Sequence, residues 1–311
     1  MGGVVALPEN CQLCNASPEK QTVVTQHIYG GGERSSNAFF HCEVCDVRYL
    51  YPGLTPEEES RFYAAEFEAF MASRSGNEKG GWQKAEEHIV ANEPTRQRRM
   101  KYLTTNLAEG SSLLEVGCSS GFMLYPLLKA GHACKGIEPS GVFSQFVKGR
   151  GITVYNSMCQ LQEHAPEERF DTILHFFVLE HIADPLKFLK RQLALLNPGG
   201  KIIFEIPNVA DPLCSIYEIP AFERFYWSIA HPWYFSEQSL HYLLKQLGLP
   251  YEILRDQRYD LSNHMVWARD GKPGGMGRFT NKLGLELDEI YKQTLIQIGK
   301  CDTLIAIISK K

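Results

Sequence analysis

The chain lacks several features that would have placed it at once. No run of its 311 residues approaches the roughly 18 consecutive apolar residues of a membrane-spanning helix, so none is expected. The first residues carry neither the basic nor the apolar stretch of a secretory signal, and a cytoplasmic location is the expectation. Charge of one sign is not in excess: 32 Lys and Arg stand against 36 Asp and Glu, a net charge of −4. That balance argues against a nucleic-acid or anionic-membrane partner. Internal repeats and low-complexity tracts are missing as well. The length suffices for one large domain and a small one.

Cysteine is present in an odd number, nine, and four of the nine form two pairs, Cys11-Gln-Leu-Cys14 and Cys42-Glu-Val-Cys45. In a reducing compartment such pairs read as metal ligands or redox centres before disulfides. Between them lie two strand-like runs, over 22–28 and 37–41, joined by Gly30-Gly31-Gly32. A hairpin with a cysteine turn at either base resembles a zinc ribbon, which implies one structural Zn²⁺ held by four thiolates. His41 is adjacent and is an alternative ligand. Residues 1–80 hold six Lys or Arg and eleven Asp or Glu, a poor phosphate-binding surface.

Thr55-Pro-Glu-Glu58 has the form of a capping box, with Pro56 at the first helical position. The helix it opens carries Phe62, Tyr63, Phe67 and Phe70 at helical spacing. Residues 73–83 are turn-rich and read as a mobile loop. A second helical stretch spans 83–107, interrupted at Pro94. Its Arg96, Arg98, Arg99 and Lys101 read as a solvated face, or as a reach toward an anionic substrate.

The most informative stretch is Ser112-Leu-Leu-Glu-Val-Gly-Cys-Ser-Ser-Gly121, followed by Gly136-Ile-Glu-Pro-Ser140. Strand, small-residue turn, helix, strand and acid make the first βαβ unit of a nucleotide-binding α/β fold. The dinucleotide fingerprint needs glycines at i, i+2 and i+5, where this chain has Gly117, Ser119 and Phe122. Glu115, two residues before the first glycine, would repel a phosphate and suits a ligand with a cationic amino group. The pattern resembles motif I of class I S-adenosylmethionine (SAM) methyltransferases, with Ser119 in place of the middle glycine. From about residue 95 onward the resemblance continues. Phe177-Val-Leu-Glu-His-Ile-Ala-Asp-Pro185 is similar to the segment after strand four of that family, and Leu195-Leu-Asn-Pro-Gly-Gly-Lys201 to its turn before strand five.

The resemblance implies a Rossmann-like α/β fold with a seven-stranded, mostly parallel sheet. Strands are expected near 112–116, 133–137, 152–155, 172–176, 201–206, 251–255 and 303–309. The last should insert antiparallel, as the family's seventh strand does. Residues 263–268 also read as an extended tail element, ahead of a helix around 280–298.

The same resemblance assigns roles. Gly117 and Gly121 let the backbone approach the methionine part of SAM, and Glu115 orients that end. Ser119 and Ser120 offer donors to its carboxylate, with Cys118 a small buried filler in the same loop. Glu138 accepts the ribose hydroxyls, with Pro139 beside it. Asn156 and Ser157 are candidates for the adenine edge, and Phe176 and Phe177 for packing beside the adenine or the sulfonium. His181 and His231 are the candidate bases, since imidazole titrates near neutral pH. His231 lies in Ala230-His-Pro-Trp-Tyr-Phe-Ser236, similar to an element of sugar-modifying relatives, among Tyr226, Trp227, Trp233 and Tyr234 as a possible pocket wall. Residues 211–227 read as a lid, a substrate wall or a dimer contact. The clustered cysteines of a radical SAM enzyme are absent.

The expected division is a zinc-ribbon module over 1–53, a helical linker over 54–110 and a SAM-dependent methyltransferase domain over 111–311. The expected activity is methyl transfer to a small molecule, a sugar or nucleotide-linked sugar, at oxygen or carbon. An rRNA methyltransferase with a zinc module and a non-catalytic SAM-binding interaction protein stand as alternatives.

Overall fold

The structure is a computed structural model and describes residues 5–31, 36–62, 70 and 85–311. Gly32 of the hairpin turn, Tyr63 and Phe67 of the first helix and the loop over 73–83 lie outside the described residues. The strands are Gln21–Thr25 (β1), Ala38–Cys42 (β2), Arg48–Tyr51 (β3), Ser112–Val116 (β4), Ala133–Ile137 (β5), Thr153–Tyr155 (β6), Phe170–Phe176 (β7), Leu196–Pro207 (β8), Trp233–Tyr234 (β9), Tyr251–Asp256 (β10) and Thr303–Ser309 (β11).

Seven of them form one sheet in the order β10-β11-β8-β7-β4-β5-β6. Strands β4 to β8 pair in parallel, while β11 lies antiparallel between β8 and β10. This is the class I, Rossmann-like methyltransferase architecture. Strand order reverses beside β4, so the carboxyl ends of β4, β5 and β7 open on a crevice where ligands of such sheets bind.

Period-two alternation sorts the sheet's side chains into two faces. Leu114, Val116, Ile173, Ile202, Phe204 and Ile206 join one core cluster, with Leu161, Leu189 and Leu243 from the covering helices. Leu113, Leu174, Phe176 and Ile203 join the other, under Leu103, Leu124, Leu127 and Val147. By the same alternation Glu115 and Glu205 belong to the second face. They lie near the strand ends, with Glu115 opposite Leu174 and Glu205 opposite Phe176. That face is covered by the helix Glu93–Leu103, which brings basic residues over two buried acids.

Helix boundaries follow local chemistry. Thr55 and Glu58 form the expected capping box over the helix Pro56–Arg61. The helical stretch before β4 breaks at Asn92 into Ala85–Ala91 and Glu93–Leu103, with Pro94 in the first turn of the second. Residues 263–268, expected extended, lie inside the helix Leu261–Asp270. Asp260 caps it by accepting the Asn263 N–H at 2.8 Å, and Gly271 closes it at φ 63°. The expected helix over 280–298 is two, Thr280–Leu283 and Leu285–Gln297, parted at Gly284 with φ 106°. Among the described residues no helix is long and apolar enough to cross a membrane.

The second sheet runs β1-β2-β3-β9. Its first three strands are the cysteine hairpin, and its fourth comes from beyond β8. Arg48 pairs with Tyr234 and Tyr49 with Trp233. Residues 211–227 fold onto this junction as two short helices, Pro212–Ser215 and Pro220–Tyr226, over an aromatic cluster.

Candidate active site

The glycine turn after β4 has the conformation its sequence demands. Gly117, Ser119 and Gly121 all take positive φ, at 75°, 49° and 71°. A Cβ on Gly117 would stand 2.9 Å from Val178, and one on Gly121 3.0 Å from Val147. Ser119 keeps the left-handed backbone that a glycine would adopt freely. Its N–H donates to Glu138 Oε2 at 2.6 Å, and the Ser140 N–H donates to Glu138 Oε1 at 2.8 Å. Glu138, 7% exposed at the end of β5, is thereby fixed beside the turn, with Pro139 exposed next to it. Cys118 is fully buried over Gly136, where no Cβ would fit beneath its sulfur. Ser120 Oγ lies 2.8 Å from His88 Nδ1, on a helix that packs across the turn.

Glu115 is 2% exposed, and its Oε2 has no hydrogen-bond partner among the described residues. Burial pushes its carboxyl up to about 8, with the Arg99 cation opposing and Glu138 adding to the rise. A buried carboxylate in want of a cation suits an ammonium group. Asn156 is exposed after β6, its N–H donating to Gln160 Oε1 at 2.6 Å. The Ser157 hydroxyl accepts from the Gln160 N–H and caps the helix Met158–His164.

Arg98 and Arg99, on the helix Glu93–Leu103, do not form a solvated face. Arg99 is 5% exposed, donates to Glu205 Oε2 at 2.9 Å and lies over the Phe176 ring at 3.9 Å. Arg98 pairs with Glu205 Oε1 at 2.7 Å and also with Asp256. The Tyr102 hydroxyl donates to Glu205 Oε1 at 2.6 Å. Burial alone would raise the Glu205 carboxyl, but the Arg99 and Arg98 cations outweigh it and hold it below its ordinary value. Single-residue motifs could not reveal this network. Its signal was the clustering of arginines on one helix and a lone acid inside an apolar strand.

Beyond β7, the turn Leu179–His181 brings Glu180, His181 and His231 together, with donor atoms within 4.8 Å of one another. The two rings stand edge to face, 4.6 Å between centres. His181 Nδ1 lies 2.7 Å from the Ala230 carbonyl, which can only accept. The Nδ1 position therefore carries the proton, and Nε2 is the basic nitrogen. Of the expected pocket wall, Tyr234 is 1% exposed and belongs to a core cluster, whereas Trp233, 3% exposed, also lines a groove. Tyr226 is buried too, its hydroxyl donating to the Asn208 carbonyl at 3.0 Å. That groove lies beside His181 and is also lined by Leu50, Pro52, Leu54 and Ala183, so the hairpin sheet contributes to its wall.

The four pair cysteines converge as well. Cys11 and Cys45 sulfurs are 3.7 Å apart, Cys14 and Cys42 3.5 Å, and all four fall within 4.8 Å. A tetrahedral Zn–S₄ centre places sulfurs roughly 3.8 Å apart. Each pair sits in the same turn: the Asn15 N–H reaches Cys11 O at 2.9 Å, and the Asp46 N–H reaches Cys42 O at 2.8 Å. Asn15 and Asp46 both have positive φ, 60° and 62°. His41 stands apart from the sulfurs, 2.9 Å from Asp46.

A protein 31% identical over 107 residues is the ubiquinone biosynthesis O-methyltransferase of Bradyrhizobium sp. (strain ORS 278); the match covers 33% of this chain and 42% of that protein. One of the same name from Cereibacter sphaeroides is 28% identical over 174 residues, 49% of this chain and 70% of the other. The chain thus spans less than half of the first relative's length. A SAM-dependent methyltransferase structure from Archaeoglobus fulgidus aligns with 79% of this chain and all of its own, at 16% identity and a TM-score of 0.48. The model of the methyltransferase domain matches residues 88–252, from the helix over the glycine turn through the histidine pair. With the sheet order and the turn already described, that match over more than half of its length makes this chain a member of the methyltransferase-domain family.

Proposed function

We propose that the protein transfers a methyl group from SAM to a small-molecule acceptor, a sugar or nucleotide-linked sugar, at oxygen or carbon. The relatives' names, ubiquinone biosynthesis O-methyltransferase, favour oxygen. The observation that carries the reading is the convergence of Glu115, the Ser119 turn and Glu138 at the reversal of strand order.

Bound SAM would supply a methyl group already attached to a good leaving group, the sulfonium. The residues here then have positioning work to do. Gly117 and Gly121 permit close backbone approach, and Glu115 answers the ammonium of the methionine end. Glu138, anchored by two backbone N–H groups, offers its remaining lone pairs to a vicinal diol. Asn156 and Ser157 flank the adenine end, with Cys118 and Pro139 shaping the two loops. Phe176 closes the methyl side. His181, held as the Nδ1–H form, presents Nε2 as base to the acceptor hydroxyl. His231 orients it or shares the proton. The four cysteines hold one structural zinc ion, with no open position for chemistry.

The test is calorimetric titration with SAM and S-adenosylhomocysteine (SAH), beside Glu138→Ala. Micromolar binding, weakened about tenfold or more by the substitution, supports the reading. Release of SAH in a panel of sugar, nucleotide-sugar and phenolic acceptors then identifies the substrate. Absence of binding by the folded wild type sinks the proposal.

A further inference from the structure

We propose that Arg258 anchors an anionic group, a carboxylate or a phosphate, on the methyl-accepting molecule. This substrate class presupposes the methyl-transfer reading above.

Position comes first. Arg258 follows β10, which is antiparallel to β11, itself antiparallel to β8. The end of β10 therefore shares an edge with the ends of β4, β7 and β8. On that edge Arg258 is on the β8 side of the glycine turn, away from Glu115 and Glu138.

Its surroundings hold the guanidinium by its face. The Phe177 ring centre is 4.0 Å from the guanidinium carbon, and the Tyr259 ring centre 4.9 Å. Phe177 is the first residue after β7, and φ 57° there is a conformation that bulky residues rarely adopt. Its N–H donates to the Glu205 carbonyl at 2.9 Å, which fixes the ring's base to the sheet. A guanidinium stacked on a ring keeps its N–H edge for in-plane hydrogen bonds.

That edge is little used. Among the described residues the Arg258 side chain makes no hydrogen bond, and its buried Nε is held only by a long ion pair. Its nearest carboxylate, Asp302 Oδ1, lies 3.6 Å from Nε. Asp302 is already engaged by the Gln257 side chain, the backbone N–H groups of Arg258 and Tyr259, and the Thr303 hydroxyl. Arg98 and Arg99, by contrast, both bond directly to Glu205. The Arg258 side chain stays 26% exposed. A rigid, aromatic-backed and partly exposed fork at the carboxyl edge of the sheet fits the two oxygens of a carboxylate or phosphate. A neutral acceptor would give the fork's outer N–H groups no charged partner, so the residue discriminates by charge.

The experiment titrates the SAH-loaded protein with benzoate, phenyl phosphate and benzamide, in wild type, Arg258→Gln and Arg258→Lys. At least one anion should bind wild type more tightly than benzamide by about tenfold. Arg258→Gln should lose that preference and keep SAH affinity within about twofold, which also reports its folding. Arg258→Lys should keep part of the preference, since a point charge replaces a fork. Benzoate ahead of phenyl phosphate indicates a carboxylate acceptor, and the reverse order a phosphorylated or nucleotide-linked one. SAH binding with no anion preference, or a preference that survives Arg258→Gln, overturns the anchor alone. Failure of wild type to bind SAH removes the methyl-transfer reading, and the anchor with it.

Discussion

Tyr49 and Trp233 are cross-strand partners, their ring centres 6.0 Å apart, on strands far apart in the sequence. Tyr49 lies on the hairpin that gathers the four cysteines. Trp233 lies two residues beyond His231, and its Nε1–H donates at 3.3 Å to the carbonyl of Ala183, two residues beyond His181. The cysteine cluster and the histidine pair are therefore joined across the β3–β9 pair, where these two rings meet.

Metal removal should be felt at the histidines. The purified protein is expected to hold about one zinc ion per chain. Chelation, or Cys14→Ser, should lower the melting temperature and speed amide exchange at Leu50, Trp233 and Tyr234. Methyl transfer should fall in step. Unchanged exchange at Trp233 in zinc-free protein would show that the two sites are independent.

Replacing the histidines separates base from scaffold. His181→Asn can still donate to the Ala230 carbonyl but has no basic nitrogen. It should lower kcat by about 10²- to 10⁴-fold with SAH affinity nearly unchanged. His231→Gln should lower kcat less. A kcat for His181→Asn close to wild type leaves His181 without the role of base.

Glu115 gives SAM binding a pH dependence. Its folded-state value is about 8, raised from 4.5 by burial. In the ligand-free protein the native state thus holds a proton that the unfolded chain has released between these values. Stability should fall as pH rises through that window. An ammonium group favours the ionised form, so affinity for SAM should rise from pH 6 to about 8 with release of a proton. Calorimetry in buffers of different ionisation enthalpy reads that proton directly, and Glu115→Gln should abolish the release.

The Glu205 network is a question of stability. Glu205→Ala leaves Arg98 and Arg99 facing each other in a buried site, and should destabilise by about 3–5 kcal/mol. Tyr102→Phe removes one neutral donor and should cost about 1 kcal/mol. Because the Glu205 carboxyl is held below its ordinary value, its contribution is present at neutral pH and lost as pH falls through the folded-state value. Urea denaturation at pH 7 and pH 4 should therefore show the gap between wild type and Glu205→Ala narrowing in acid. A gap that is constant with pH removes the ionic account.

Much of the sheet was legible because its strands are short apolar runs ending in small-residue turns, and the Ser112 to Gly121 stretch states its own backbone. Ser119 shows the limit of a glycine pattern: the conformation survives without the residue type, since serine adopts φ 49° here. Residues 263–268 misled because the apolar Met265, Val266 and Trp267 in succession suit either a strand or a buried helix. The start and stop signals were outside the run, in Asp260 and Gly271. Arg99 was legible as a basic helix residue but not as a buried one. Its partner Glu205 lies 106 residues away, and no local period records a contact of that span.

The joined sheet also sets an order of events during synthesis. The Ser236 hydroxyl bonds the Asp46 carbonyl across 190 residues of chain. A cysteine hairpin made well before β9 could close locally on a metal ion, yet its outer strand must wait for β9 to be made. Until then β3 is an open edge, able to pair with a neighbouring chain. A nascent chain stalled before residue 233 should thus be the aggregation-prone species, and early metal capture the step that holds the edge in register until its partner arrives.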